Sequence, residues 1–265
     1  MDTSVDRAGH SESPAEDNPA RGPLLAFLAV ALPTGWVLLG IAVALDLPEE
    51  PFVLGTLLLG LVAPTIVLTR REPGAGVRAL LRDVVRMPRP AWLLLPALVL
   101  VPGLTCAIAA ATGDAPALTG DLLLAGVVDV VTSVLIVNLW EEMAWQGFFQ
   151  RRATARWGFV LGALATAAGF VGVHLALAFS GADGASDVGL GLAALVVSGI
   201  GLRLFLGALD RWSGRSLLAV AVAHASFNVA GEFVDDSADW IRYAVALALG
   251  LGVLATGVAR SSRVH

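Results

Sequence analysis

Cysteine is nearly absent from this chain: Cys106 is the only one in 265 residues. A lone thiol excludes an intramolecular disulfide and a Cys-based metal cluster. Lysine is missing altogether, so all 17 basic residues are Arg. No basic patch is interleaved with aromatics, which argues against a nucleic-acid partner. Charge is scarce too. Charged residues make up 15% of the chain, against about 25% in soluble domains. What fills the chain instead is apolar: 57% of residues are hydrophobic, the composition of an integral membrane protein.

Residues 1–22 are polar and rich in Ser, Pro, Asp and Glu, with too little apolar surface to offset the entropy of ordering. They are expected to form a disordered tail ahead of a membrane-embedded domain over 23–260, with 261–265 as a C-terminal tail. A membrane helix needs about 20 apolar residues. Eight such runs occur, at Leu24–Leu45, Phe52–Leu68, Ala91–Ala111, Leu122–Phe149, Phe159–Ser180, Leu190–Leu209, Leu217–Phe233 and Trp240–Val258. The expected fold is therefore all-α and polytopic, with about eight transmembrane helices. The fourth run is too long for one straight crossing.

Arg residues then set an expected topology. Arg70, Arg71, Arg78, Arg82, Arg86 and Arg89 follow span two, Arg151, Arg152 and Arg156 follow span four, Arg211 and Arg215 follow span six, and Arg260 and Arg263 follow span eight. The alternate loops carry Asp and Glu, with only Arg242 nearby. The positive-inside rule puts both termini and the Arg-rich loops in the cytoplasm, in a plasma-membrane protein. Within Gly76–Pro90, apolar residues recur at helical spacing opposite four Arg, the pattern of an amphipathic helix on the inner leaflet.

Charges inside a membrane are costly and are functional candidates by default. Span four offers Asp129, Asn138, Glu141, Glu142 and Gln146, span five offers Phe170 and His174, and span seven offers His224 and Asn228, then Glu232. His224 and Asn228 share a helix face at a spacing of four, as do Phe170 and His174. Two adjacent carboxylates in a dry site do not both ionise easily. Carboxylate and imidazole together can activate water, with Glu as general base and then acid. His and Asn can stabilise an oxyanion. The same donors could instead hold zinc. A proton- or cation-coupled transporter using the Glu pair is a competing reading. No H-E-x-x-H helix occurs, and Ser226 lacks a G-x-S-x-G context, so zincin and serine-hydrolase chemistry is not indicated.

Glu141-Glu142, Phe170-x-x-x-His174 and His224-x-x-x-Asn228, in that order and each in a separate span, resemble the three motifs of the CPBP family. These are the CAAX protease and bacteriocin-processing membrane proteins, also called Abi. The resemblance covers a motif core of about 127–232. It implies an intramembrane endopeptidase with a four-helix catalytic core formed by spans four to seven. It implies Glu141 as the water-activating base with Glu142 as partner, His174 and His224 positioning water or metal, and Asn228 stabilising the oxyanion. The metal set would be Glu141, His174 and His224 around Zn2+, and the alternative is glutamate-activated water with no metal. The implied partners are the lipid bilayer and a peptide or lipidated protein substrate. In a bacterium, to which the Arg-only composition hints, peptide maturation or bacteriocin immunity would fit. A non-catalytic scaffold or immunity factor of the same fold is the alternative. The family's first motif usually reads E-E-x-x-x-R, and here position 146 is Gln. Glu142 is thus expected to lack a compensating cation. The site residues are expected to surround one cavity open to the cytoplasm.

Overall fold

The computed structural model of the chain describes residues 21–72, 76–114 and 118–257. The expected N-terminal tail falls outside these, except for Arg21 and Gly22, which already belong to the first helix. Arg260, Arg263, the last residue expected in span eight (Val258) and the tail 261–265 also lie outside the described residues.

Among the described residues there is no strand. Six helices are long and apolar enough to cross a membrane: α1 (Gly22–Ala44), α2 (Glu50–Arg71), α4 (Ala91–Thr112), α5 (Gly120–Trp157), α6 (Phe159–Phe179) and α7 (Ala185–Trp212). The short α3 (Val77–Val84) lies between α2 and α4. Two shorter apolar helices follow, α8 (Leu217–Phe233) and α9 (Trp240–Ala255). The chain is thus a polytopic all-α membrane protein, and these apolar helices match the eight expected spans.

Local chemistry sets several boundaries. The Thr119 hydroxyl accepts from the Leu122 amide and opens α5. Gly158, at φ 81°, ends α5 and turns the chain into α6. That φ is open to Gly because it has no Cβ to clash. Ser216 caps α8 by accepting from the Ala219 amide. α5 is 38 residues long, about 57 Å at 1.5 Å per residue, well beyond a hydrocarbon core of about 30 Å. It contains two stretches of wider i→i+5 turns, Val134–Asn138 and Met143–Gln150. The single α-turn between them, Leu139–Glu142, carries the Glu pair.

The helices pack through apolar side chains and, where they come closest, through glycine. α7 crosses α9 at Gly201 and Gly250. A Cβ on Gly201 would sit 2.5 Å from the Ala246 carbonyl oxygen, and one on Gly250 would sit 2.4 Å from the Gly201 carbonyl oxygen. Backbones this close are how membrane helices gain dispersion contact. A second core joins α1, α5 and α6, where Phe27 stands edge-on to Trp145 at 5.3 Å between ring centres and packs against Phe148 and Phe149. α3 is amphipathic as expected, and it docks on the bundle. Its buried Leu80 and Val84 share a core with Met143 and Leu217.

The two ends of the bundle differ. At one end Arg151 bridges Asp83 of α3 and Asp210 of α7, at 2.7 and 2.6 Å, and Arg152 pairs with Glu72. Arg86 reaches the Gly214 carbonyl there. At the other end the Ser180 hydroxyl donates to Glu49, and the Asp235 amide donates to the Asp114 carbonyl.

Candidate active site

Glu141 and Glu142 are both buried inside α5, and being adjacent they point to different neighbours. Glu142 is fully enclosed. Its two oxygens accept from the two terminal nitrogens of Arg203 on α7, each at 2.9 Å, and both side chains are 0% exposed. The Arg203 guanidinium also lies over the Phe170 ring, 4.3 Å from its centre. A bidentate, charge-assisted pair of this kind fixes geometry as well as charge. The expectation that Glu142 lacks a cation is therefore overturned.

Gln146 does not replace the missing motif arginine, because it faces elsewhere. It lies in the wide-turn stretch Met143–Gln150, where four residues no longer return the chain to the same face. Its amide nitrogen donates instead to Asp210, at 3.2 Å. Arg203 is not among the residues singled out from the sequence. Its signal was nevertheless there: a lone Arg in an otherwise apolar run, which the rule for intramembrane charges marks for a carboxylate partner.

His224 Nδ1 lies 2.6 Å from Glu142 Oε1. Nδ1 donates to the carboxylate, which leaves Nε2 as the free nitrogen of the neutral ring. The same Nδ1 is 3.7 Å from Glu141 Oε2. His174 sits at the end of the α-helical part of α6, and its Nδ1 is 2.8 Å from the Phe170 carbonyl oxygen. A carbonyl only accepts, so Nδ1 carries the hydrogen and Nε2 presents a lone pair in the neutral ring. That Nε2 is 3.7 Å from Glu141 Oε1. Phe170 thus holds His174 through its backbone and Arg203 through its ring. Asn228, one turn beyond His224, is the exposed member of the set.

Glu141, His174, His224 and Asn228 all line one cavity of about 340 Å³. Glu142 is brought to the site behind His224, outside the cavity lining. The cavity lies toward one end of the bundle. Its walls include Leu39, Val53, Leu177 and Tyr243, all close to the end that bears the acidic loops. It is therefore at the end opposite the Arg-rich loops.

The zinc set expected from the sequence is Glu141, His174 and His224. A ligand nitrogen must offer a free lone pair about 2.0–2.1 Å from the ion. Among the described residues, no three His, Cys, Asp or Glu side chains are grouped to hold a metal.

A family model described as type II CAAX prenyl endopeptidase Rce1-like matches residues 123–230. That segment contains the Glu141-Glu142, Phe170/His174 and His224/Asn228 motifs, and the match agrees with the resemblance to the CPBP/CAAX protease family. It supports endopeptidase activity within the membrane in general. No curated protein matches the chain.

Proposed function

Because the motif-bearing segment matches a CAAX prenyl endopeptidase family, we propose that this chain is an intramembrane endopeptidase using water activated by Glu141. The observation that carries this reading is the convergence of Glu141, His174, His224 and Asn228 on one cavity.

The 3.7 Å between Glu141 Oε1 and His174 Nε2 is too long for a direct hydrogen bond and matches a gap that water bridges. Water held there attacks the carbonyl carbon of the scissile bond and gives its proton to Glu141. The carbonyl oxygen becomes an oxyanion, to which the Asn228 amide donates. Glu141 then returns the proton to the departing amine nitrogen as the C–N bond breaks. In this scheme Glu142 is a positioning residue. Anchored by Arg203, it holds His224 through Nδ1 and keeps that ring fixed against the cavity. The transporter alternative is weakened by the same pair, since a carboxylate locked to Arg203 is not free to carry a cation.

The substrate at this level is a membrane-associated polypeptide, of which a lipidated CAAX tail and a bacteriocin-like peptide are two instances. The test is cleavage of a library of membrane-inserted peptides by the protein reconstituted in lipid. Glu141→Gln and His224→Ala are expected to lose about 10²–10⁴-fold in rate, the usual contribution of a general base and its partners. Equal processing by wild type and both variants would leave a non-catalytic scaffold of the same fold.

A further inference from the structure

The charge pattern and the cavity together fix the side from which substrate arrives. We infer that the active-site cavity opens on the extracytoplasmic side of the membrane. It takes an apolar polypeptide segment presented from there, a stretch of an exported or membrane-inserted chain. The substrate half of this inference rests on the endopeptidase reading above, and the orientation half does not.

Three observations carry it. First, all loop Arg residues but Arg242 cluster at one end of the bundle. Segments 45–50, 113–121 and 180–187 contain none, and 234–242 contains Arg242 alone. Segments 70–89, 151–156 and 211–215 hold the loop Arg residues between the spans. The positive-inside rule, counted on Arg in short loops, makes that end cytoplasmic. The exception at the other end is bound within the fold. Arg242 pairs with Asp239 at 2.6 Å and donates to the Asn228 carbonyl at 2.8 Å.

Second, the cavity lies in the other half of the bundle. Its lining runs from Leu61, Phe170 and His224 near mid-helix to Val53, Leu177 and Tyr243 beside the acidic loops. Third, the active-site cavity shares no lining residue with the cavity at the Arg-rich end. The latter, of about 290 Å³, stops at Gln146 and Gln150. Glu142 and Arg203 line neither cavity, are both 0% exposed and are bonded to each other, and Gln150 donates to the Arg203 carbonyl. A lipidated tail arriving from the Arg-rich end would meet this buried pair and the separate cavity before Glu141. A segment entering from the opposite face meets mostly apolar walls, with Glu141 at the inner end.

Single cysteines in a Cys106→Ala background test the orientation without any cleavage. Asp183→Cys reports the acidic end, Leu177→Cys reports the cavity wall and Ala155→Cys reports the Arg-rich end. In sealed right-side-out vesicles, a membrane-impermeant maleimide should label positions 183 and 177, and position 155 only after permeabilisation. The reverse pattern overturns the orientation, and labelling of 183 with none at 177 from either side overturns the open cavity. In intact cells, a library of randomised apolar segments carrying an export signal should be cleaved in wild type and spared in Glu141→Gln. The same library held in the cytoplasm with a prenylated C-terminal cysteine should be spared in both. Glu141-dependent cleavage of only the cytoplasmic set overturns the substrate class. Cleavage that persists in Glu141→Gln overturns the substrate half together with the endopeptidase reading, while the labelling result stands.

Discussion

Arg203 and Glu142 form a fully buried, bidentate ion pair. Both are out of reach of water, and each would be an uncompensated charge without the other. Removing one partner of a buried pair costs about 3–5 kcal/mol, whereas replacing both with apolar groups is often close to neutral. Arg203→Met should therefore lower the unfolding midpoint in detergent by a large step. The double variant Glu142→Leu/Arg203→Met should recover most of that loss while its cleavage stays impaired, because His224 loses its acceptor. Additive stability losses in the double variant would show that the two side chains are not coupled. Position 146 gives the converse case. Its neighbour is Asp210, at 3.2 Å, so Gln146→Arg should reach Asp210 and leave the pH–activity profile unchanged. A displaced profile would show that position 146 acts on Glu142 after all.

Among the elements, the α7–α9 crossing decides where Arg203 stands. Arg203 is two residues from Gly201, whose missing Cβ leaves room for the α9 backbone. Gly201→Leu should cost about 1–3 kcal/mol through overpacking and reduce cleavage by shifting Arg203. Gly252 faces open space, and Gly252→Leu should change stability by no more than about 0.5 kcal/mol. Thermal midpoints of the two variants, measured side by side, separate a packing effect from a general intolerance of leucine in these helices.

The same elements show what is legible in the sequence. The apolar runs mark eight spans to within a few residues because a bilayer demands length and hydropathy and little else. α5 exceeds its expected bounds at both ends, since its last turns carry Arg151, Arg152 and Arg156, which hydropathy reads as loop. The wide turns in α5 have no residue signature, so the fixed spacing of four between Glu142 and Gln146 misleads. His174, His224 and Asn228 follow helical spacing and lie where that spacing puts them, on one cavity. The cavity's end of the bundle was not legible, because it depends on how eight helices splay rather than on any one of them.

For the molecule as a whole, the ends of the bundle are built differently. The Arg-rich end is tied by ion pairs that join α3, α5 and α7 through Arg151. The opposite end contains the cavity and is held by backbone and hydroxyl contacts and by Arg242, which pairs with Asp239 and donates to the Asn228 carbonyl. The cavity and the ion pairs of Arg151 thus lie in separate halves. Arg151→Ala should accordingly lower stability, read as a fall in the unfolding midpoint. The Michaelis constant of the folded fraction should stay unchanged. A raised Michaelis constant would connect the Arg-rich end to substrate entry.

The Glu142–Arg203 contact also has a history in time. Its partners are 61 residues apart in the chain, and ribosomes add about 5–20 residues per second, so Arg203 emerges roughly 3–12 s after Glu142. During that interval α5 has reached the membrane with an acid that has no counter-charge, and α7 does not yet exist. A nascent chain stopped after Ser180 should therefore be cleared quickly by quality-control proteases, and Glu142→Leu in that truncated chain should prolong its lifetime in a pulse–chase measurement. Equal lifetimes would mean that α5 tolerates the lone acid. The contact that holds His224 in the finished site is thus one that cannot form until α7 has been made.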